Sequence, residues 1–250
     1  MPLLREGAEQ KRSETGLTNK QSIGTDHTGY TDLHRPIIII RGFSVPVCSV
    51  NRICYHQDMK VNWKPGTMIY PLPAVMVTCG SCEEEYNIIT IAWTGTICTN
   101  PPMCYISVRP ERHSADIIKH NMEFVINLTD ASTAYATDWC GVRSGRDYNK
   151  FHEMGLTPGK ATIVQAPIIK EAPLSIECRV KEIISLGSHE MYIAEVVNVI
   201  ADDKYIDKET GKFELADSDP LVYLHGGYYH LGEKIGKFGW SVEKKKKGKR

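Results

Sequence analysis

Three polar side chains lie close together in the segment S-V-R-P-E-R-H-S, residues 107–114. Arg109 and Arg112 precede a predicted helix, and Ser114 stands at its start. A helix N-terminus offers free backbone N–H groups and a positive dipole. A hydroxyl adds a hydrogen bond, and a guanidinium contacts oxyanions through paired N–H groups. The segment therefore indicates a phosphate site. The alternative is that both arginines form surface ion pairs, which are common and weak.

Other groups of reactive residues are poorly supported. The chain has no G-x-G-x-x-G or Walker loop, no G-x-S-x-G elbow and no H-E-x-x-H pair. Its histidines lack metal-ligand spacing. Cys79-Gly-Ser-Cys82 has metal or redox spacing, but no second Cys pair or His pair accompanies it. We interpret Cys79 and Cys82 as small residues that close a strand.

Composition narrows the class of protein. Lys plus Arg equals Asp plus Glu, at 30 each, which excludes an overall basic field for nucleic acid. No apolar run approaches the roughly 18 residues of a membrane span, so we expect neither a nucleic-acid nor a membrane partner. Eight cysteines in 250 residues, without a signal sequence in the usual place, indicate reduced thiols and a cytoplasmic location.

Strands are predicted to dominate the chain and so to position the candidate phosphate site. Segments rich in β-branched and aromatic residues predict strands at 68–78, 87–93, 103–108, 124–128, 174–186, 191–200 and 220–224. Between two of them, residues 94–102 read as a glycine-containing bend and a rigid Asn100-Pro101-Pro102 turn. Short helices are predicted from Ser114 as a capping residue, from Thr129 or Asp130, and near 147–154. Many antiparallel strands with few helices favour a barrel with helical insertions.

The chain divides into three parts by composition. Residues 1–58 show no strand or helix period and are predicted to be a poorly structured extension, either a flexible tail or an upstream stretch absent from the natural protein. Residues 59–243 are the predicted functional domain. Residues 244–250 form a basic tail, for which a solvated terminus is favoured over a nucleic-acid arm.

Six segments, in order, resemble the flavin reductase-like family of FMN-binding split barrels, and within it the flavoredoxin branch. Two of them are N-I-I-T-I-A-W-T-G and N-P-P-M-C-Y-I-S-V-R-P-E-R-H-S. The other four are F-V-I-N-L, D-W-C-G-V-R-S-G-R-D-Y-N-K-F, G-S-H-E-M-Y-I-A-E-V and P-L-V-Y-L-H-G-G-Y-Y-H-L-G. The resemblance runs from about residue 62 to about residue 241, and residues 1–58 have no counterpart in it.

The resemblance implies a mainly β fold, a six-stranded antiparallel Greek-key split barrel. It also implies a homodimer with non-covalent FMN near the interface. It places Ser114, Arg112 and Lys150 at the flavin phosphate, and His189, in the turn 187–190, at the ring as the one catalytic candidate. The full set of implied cofactor contacts is Asn87, Thr90, Trp93, Thr94, Thr99, Asn100, Arg109, Arg112, Ser114, Lys150, His189 and Tyr223.

Three functions follow from the resemblance as hypotheses. The first is an NAD(P)H-dependent flavin oxidoreductase that passes hydride to flavin. The second is an electron-transfer flavoprotein that exchanges electrons with a ferredoxin-like, iron–sulfur partner. The third is a module that holds FMN without turnover. No nicotinamide-specific motif is readable, so the choice between NADH and NADPH stays open.

Overall fold

The computed structural model describes residues 60–243. The predicted leader at 1–58 and the basic tail at 244–250 lie outside the described residues, and the three-part division remains a prediction. The strands are β1 (Leu72–Pro73), β2 (Val75–Cys79), β3 (Asn87–Ile91), β4 (Thr94–Thr99), β5 (Pro102–Val108), β6 (Glu123–Leu128), β7 (Pro158–Gly159), β8 (Ile168–Ile169), β9 (Leu174–Ser185), β10 (Glu190–Ala201), β11 (Val222–Leu224) and β12 (Gly227–Tyr229). The α-helices are α1 (His113–Asn121), α2 (Ala134–Val142) and α3 (Lys150–Met154).

Seven strands form one antiparallel sheet in the order β3-β2-β6-β9-β10-β5-β4. The edge strands β3 and β4 are separated in the chain by only Ala92 and Trp93, so the two edges of the sheet meet there and the sheet wraps around. The Ser107 N–H of β5 donates to the Trp93 carbonyl at 2.9 Å across this meeting point. Among the described strands no ladder joins β3 to β4. The wrapped sheet therefore keeps a seam beside Trp93.

The main core fills the inside of the wrapped sheet. Alternate residues of the strands point inward, as the period of two requires. On β5, for example, Cys104, Ile106 and Val108 are buried. Ala115 and Ile118 of α1 join the same cluster, so the helix covers one end of the barrel. Burial of this apolar face holds α1, and with it the segment before it, in a fixed position.

A second apolar cluster attaches helices to the outside of the sheet. Met76 of β2 and Ile88 of β3 face outward and pack with Ala136 and Cys140 of α2 and Phe151 of α3. Strands β2 and β3 are therefore covered on both faces. This explains why 87–91 is buried at nearly every position and does not alternate.

The mainly β, antiparallel prediction is confirmed, but the prediction of six strands is wrong by one. The missed strand is β4, whose sequence T-G-T-I-C-T was interpreted as a bend. It is an edge strand with an outer face in water, and so it lacks an apolar alternation. Gly95 sits in it because an added Cβ would lie 3.2 Å from the Tyr105 ring on the neighbouring strand. That close approach explains the glycine without a turn.

The three helices occur near their predicted places with different ends. The N-cap of α1 is Arg112, without a side-chain cap bond, and Ser114 is the second helical residue, so the capping role predicted for Ser114 is wrong. Before α2, Asp130 caps a 3-10 turn through a capping box with Thr133. The helix α3 begins after Asn149, whose side chain accepts from the His152 N–H. Within residues 60–243, no helix is long and apolar enough to cross a membrane.

Strands β11 and β12 form a tight hairpin that is separate from the large sheet. Leu224 pairs with Gly227, which leaves His225 and Gly226 as a two-residue turn. Both turn residues have positive φ, 48° and 84°, as in a type I′ turn. Strand β11 also pairs with β1 at Leu72 and Pro73. The hairpin is thereby held with Tyr223 and Tyr228 on neighbouring positions.

A fully buried carboxylate ties a loop to the sheet. Glu177 of β9 accepts hydrogen bonds from the backbone N–H groups of Thr162, Ile163 and Val164, at 2.9, 2.6 and 3.0 Å. It also accepts from the Asn198 amide at 2.7 Å. Burial alone would raise the pKa of this carboxyl, but the hydrogen bonds outweigh it and lower the pKa of Glu177.

We expect Glu177→Gln to lower the free energy of unfolding by about 2 kcal/mol at neutral pH, the scale of hydrogen bonds to a charged group. Because the folded pKa lies below the unfolded one, the stabilisation is present above the unfolded value and is lost as pH falls through the folded value. The difference between wild type and variant should therefore shrink in acid. Urea unfolding over this pH range measures it, with the exposed Glu182→Gln as the control. An equal effect of both substitutions would contradict the assignment.

Candidate functional site

Two adjoining cavities form one groove at the seam of the sheet. The first, here the aromatic cavity, has a volume of about 440 Å³ and is lined by Trp93, His189, Tyr223 and Tyr228 among others. The second, here the cationic cavity, has about 420 Å³ and is lined by Arg112, Ser114, Arg143, Arg146 and Lys150 among others. Ile89, Arg109 and Arg112 line both. The groove is therefore continuous, with aromatic rings at one end and cations at the other.

The aromatic cavity is built around a stacked pair of rings. Trp93 occupies the bend between β3 and β4, and His189 lies in the turn between β9 and β10. Their ring centroids are 4.6 Å apart and the planes are inclined by 38°. Tyr228 of the hairpin lines the same cavity and donates to the Asp138 carboxylate of α2 at 3.2 Å. Elements far apart in the chain thus converge on one cavity with several aromatic side chains in its lining.

His189 is held in a fixed orientation and kept uncharged. Its Nδ1 lies 2.9 Å from the Ser188 hydroxyl. Burial, and then the positive charge of Arg109, lower the pKa of His189, with Glu111 opposing them. Since the ordinary histidine pKa is already near 6.5, the imidazole is neutral at physiological pH. Since Ser188 engages Nδ1, the neutral imidazole offers its Nε2 to a ligand in the aromatic cavity, as a donor or an acceptor according to the tautomer.

At the floor of the cationic cavity, a buried hydrogen bond joins a strand to a helix. The Asn87 amide of β3 donates to the Ser114 hydroxyl at 2.8 Å. Ser114 is only 1% exposed and Asn87 only 4%. Since the Ser114 oxygen is the acceptor in this bond, its own O–H can donate, either to a ligand or to the neighbouring Cys79 sulfur. It stands in the first turn of α1, where the free N–H groups and the dipole also favour an anion.

Lys150 is a buried cation in the wall of this cavity. It is 3% exposed, and its Nζ donates to the carbonyls of Ile88 and Cys140, both at 2.7 Å. An ammonium has three N–H donors, so these bonds leave one for a ligand. Burial lowers the pKa of Lys150 to about 8; Cys140 opposes this shift and Arg112 adds to it. The side chain therefore both fastens β3 to α2 and presents charge to the cavity.

Two buried thiols lie close to Lys150. Burial raises the pKa of Cys79 to about 12 and that of Cys140 to about 11, with Lys150 opposing both shifts. Both groups are therefore neutral thiols and poor nucleophiles. Cys79 ends β2 as predicted, and Cys82 is exposed in the following turn.

The structure brings nine of the twelve predicted contacts to the groove and leaves three outside it. The nine are Asn87, Thr90, Trp93, Arg109, Arg112, Ser114, Lys150, His189 and Tyr223. Thr94 uses its hydroxyl to donate to the Tyr105 carbonyl at 2.6 Å, inside the sheet. Thr99 and Asn100 lie at the far end of β4, about 20 Å or more along the strand from Trp93 at the usual rise per residue. Neither cavity is lined by these three residues, and their flavin contacts stay predictions.

Several lining residues were missed by the sequence reasoning. Arg143 and Arg146 line the cationic cavity, and Asp138 and Tyr228 line the aromatic one. All four lie in segments that carried the family resemblance. The signal for the two arginines was their spacing with Lys150 in R-S-G-R-D-Y-N-K, which concentrates three cations in eight residues.

Gly145 leaves the room that the buried amide needs. A Cβ added there would lie 2.1 Å from the Asn87 Oδ1. We expect Gly145→Ala to displace Asn87 from Ser114 and to weaken binding of a phosphate-bearing ligand in the cationic cavity by about 1–2 kcal/mol, the scale of a lost hydrogen bond. Calorimetric titration measures it. Gly66→Ala is the control, because a Cβ added at Gly66 meets nothing within 4 Å. Gly155→Ala is unsuitable as a control, because Gly155 has a φ of 61° that an alanine would strain. Unchanged affinity in Gly145→Ala would contradict this account.

Comparison with known proteins agrees with the fold. The family model "Flavin reductase like domain" matches residues 67–232. Flavoredoxin of Desulfovibrio vulgaris (Miyazaki F) is 27% identical, with a TM-score of 0.68 over 74% of this chain and 100% of that chain. A split barrel domain from Shewanella frigidimarina is 24% identical, with a TM-score of 0.61 over 68% of this chain and 86% of that one. The second likeness supports the fold alone.

Proteins related in sequence match this chain over a similar share of its length. The protein YwrF of Bacillus subtilis is 27% identical over 181 residues, which are 68% of this chain and 88% of that protein. The family match spans most of the chain and covers all the strands and helices that line the groove. The resemblance predicted from the six sequence segments is thus confirmed, and the antiparallel split-barrel fold with it. The chain belongs to the flavin reductase-like family.

Proposed function

We propose that the groove binds FMN non-covalently and that the protein transfers hydride from NAD(P)H to this flavin. One observation carries the proposal: aromatic side chains line one end of a continuous groove, and cations line the other. FMN has the same polarity, with a flat ring system at one end and a phosphate at the other. Membership of the flavin reductase-like family supports it.

The cationic cavity suits the FMN phosphate. At neutral pH a phosphate monoester carries a charge of about −1.5 to −2 and accepts hydrogen bonds through three oxygens. Arg112, the Ser114 hydroxyl and the third N–H of Lys150 are the donors that we assign to it. The first-turn N–H groups of α1 add to them. These groups are fixed in place by the Asn87 bond and by the two carbonyls on Lys150.

The aromatic cavity suits the flavin ring. We assign Trp93, His189 and Tyr223 to its edges and faces, with Thr90 on the wall formed by β3. Aromatic side chains bury a large area against a flat ligand, and such contacts are strong for their size. The neutral His189 can hydrogen-bond the ring edge or position a nicotinamide through Nε2, since its Nδ1 is engaged by Ser188.

The bound flavin would supply hydride chemistry, and the protein supplies binding, orientation and electrostatics. Hydride transfer between stacked rings needs no protein nucleophile. His189 is therefore assigned a positioning task and not an acid–base one. The fixed Trp93–His189 pair limits where a second ring can enter, and the buried Lys150 together with Arg112 holds the phosphate end so that the ring keeps its place.

We infer that the protein acts as a homodimer in the cytoplasm. Exposed apolar side chains of the C-terminal segment support the dimer, notably Ile235 at 89% and Phe238 at 107% exposure. Reduced cysteines support the location, since Cys104 and Cys178 are free thiols although their sulfur atoms lie 3.5 Å apart. Sedimentation of the full chain tests the dimer, and a monomer at micromolar concentration would contradict it.

A second candidate function is electron transfer between FMN and an iron–sulfur partner. The likeness to a flavoredoxin, at 27% identity over the whole of that chain, favours it. A module that holds FMN without turnover is the third reading. The three candidate functions use the same FMN groove and differ in which electron donor, if any, reduces the flavin.

Rates of flavin reduction separate these functions. The full-length protein is loaded with FMN and mixed, without oxygen, with NADH, NADPH or a reduced ferredoxin. Turnover with added flavin at about 1 s⁻¹ or faster, the ordinary range for enzymes, supports the oxidoreductase. Slow reaction with both nicotinamides and fast reduction by the ferredoxin would support the second function and overturn the first. No reduction by any donor would leave the binding module.

A further inference from the structure

A carboxylate stands among the rings of the aromatic cavity. Asp138 is the single acidic residue among the described residues that line this cavity. It lies on α2, and Gly141 and Val142, three and four positions further along the helix, line the same cavity. Residues with this spacing share one face of a helix. Asp138 therefore belongs to the face of α2 that borders the cavity.

One oxygen of this carboxylate is held by the β11–β12 hairpin. The Tyr228 hydroxyl donates to Asp138 Oδ1 at 3.2 Å. The Tyr228 ring in turn packs against Tyr223, with the ring centroids 5.7 Å apart. Burial, and then the charge of Asp138, raise the pKa of Tyr228 to about 12, so the hydroxyl keeps its proton and remains the donor. The bond fixes the carboxylate between the hairpin and the helix.

The remaining acceptor positions of Asp138 are available to a ligand. A carboxylate has two oxygens with about four acceptor positions, and Tyr228 is the one side-chain donor to Asp138 within residues 60–243. A ring that enters the cavity displaces water from the carboxylate. A charge that loses water without gaining a hydrogen bond costs binding free energy. Asp138 therefore favours a ring that brings an N–H donor and disfavours a ring that lacks one.

We propose that Asp138 determines which rings the aromatic cavity binds, by accepting a hydrogen bond from an N–H group at the edge of the ring. Tyr228 is the positioning residue, since it acts through Asp138. The inference rests on the proposed function, in which two rings carry such a group. The flavin has an imide N–H at N3, and nicotinamide has the N–H groups of its carboxamide.

Pairs of ligands that differ in this N–H group test the proposal on the full-length protein. One pair is FMN and its N3-methyl derivative, whose affinities are measured by quenching of flavin fluorescence. The other is NADH and its reduced 3-acetylpyridine analogue, which has a methyl ketone in place of the carboxamide. For this pair the half-saturating concentration is measured in the anaerobic bleaching of bound FMN; if neither dinucleotide bleaches it, the flavin pair alone decides. The ratio within each pair is compared between wild type and variants, so that general effects of a substitution cancel.

Three variants separate the acceptor from the fold. Asp138→Ala removes the acceptor from an exposed helix position, and Asp138→Asn keeps one acceptor oxygen without the charge. Tyr228→Phe removes only the hydroxyl that holds the carboxylate. Asp217→Ala changes an exposed aspartate outside both cavities and is the matched control.

Asp138→Ala should lower the preference for the N–H ligand about tenfold, the scale of a hydrogen bond to a charged group. Asp138→Asn and Tyr228→Phe should lower the same preference about threefold, since a bond to a neutral group is about half as strong, and Asp217→Ala should not change it. A change confined to the flavin pair identifies N3, and one confined to the nicotinamide pair identifies the carboxamide. Unchanged ratios in both pairs, in protein that binds FMN, would overturn the role of Asp138 and leave the proposed function standing. If wild type binds neither FMN nor riboflavin, the proposed function itself fails and takes this inference with it.

Discussion

Replacing Lys150 with methionine should weaken FMN binding by about 10- to 100-fold, which corresponds to about 1.5–3 kcal/mol for hydrogen bonds to a charged group. Methionine keeps the length of the side chain and removes its charge. The variant also leaves the carbonyls of Ile88 and Cys140 without their donor. We therefore expect lower stability as well as lower affinity, and both must be measured.

Two controls separate charge from packing. Lys170→Met changes an exposed lysine outside both cavities and should leave FMN affinity unchanged. Riboflavin lacks the phosphate, so its affinity should fall much less than that of FMN in Lys150→Met. If FMN affinity stays at the wild-type level in a folded Lys150→Met protein, Lys150 does not contact the phosphate.

The same lysine makes FMN binding depend on pH. The pKa of Lys150 is lowered to about 8, and a phosphate prefers the protonated amine. FMN affinity should therefore be constant between about pH 7 and pH 8, where the phosphate is mostly a dianion, and fall as pH rises through about 8. The stability of the protein without ligand depends on pH in the opposite direction. Between about pH 8 and the ordinary lysine pKa of 10.5, Lys150 is protonated in the unfolded state and deprotonated in the folded state, so the free energy of unfolding rises with pH. Lys150→Met should abolish both effects.

Replacing Ser114 with alanine should weaken FMN binding by about tenfold, or 1–2 kcal/mol. The substitution removes the donor assigned to the phosphate, and it leaves the buried Asn87 amide without its acceptor. Fluorescence titrations with FMN and riboflavin measure the effect. Riboflavin affinity should be nearly unchanged, because Ser114 lines the cationic cavity and not the aromatic one. Equal losses for the two flavins would show that Ser114 acts through the fold and not on the phosphate.

Much of the barrel could be predicted because its signals are local. Strands β3, β5, β6 and β10 are rich in β-branched and apolar residues, and β9 alternates apolar with polar ones; their ends fall within a few residues of the predicted ones. Strand β4 could not be predicted in the same way. Its glycine and threonines resemble a turn, and it is a strand through its pairing with β5, where Gly95 leaves room for the Tyr105 ring.

The functional site, like the barrel, could be predicted from the sequence only where its residues are neighbours in the chain. The pattern around Arg109, Arg112 and Ser114 predicted a phosphate site from neighbours in the chain, and these residues do line one groove. The partners of that site are distant in sequence. Asn87 reaches Ser114 across 27 positions, and Lys150 reaches Ile88 across 62. Only the packing of α2 and α3 on β3 brings them together. Arg143 and Arg146 were visible as charges, but nothing local showed which side of the loop faces the cavity.

The visible absorption spectrum of the full-length protein tests the central claim most directly. The spectrum is recorded first after FMN is added and again, in the absence of oxygen, after NADH or NADPH is added. The account predicts that the protein retains FMN through desalting, with bands near about 370 and 450 nm, and that a nicotinamide bleaches them. Retained FMN that a nicotinamide does not bleach would move the function to electron transfer from another donor. Failure to retain or quench FMN at any micromolar concentration would contradict the claim that this groove is a flavin site.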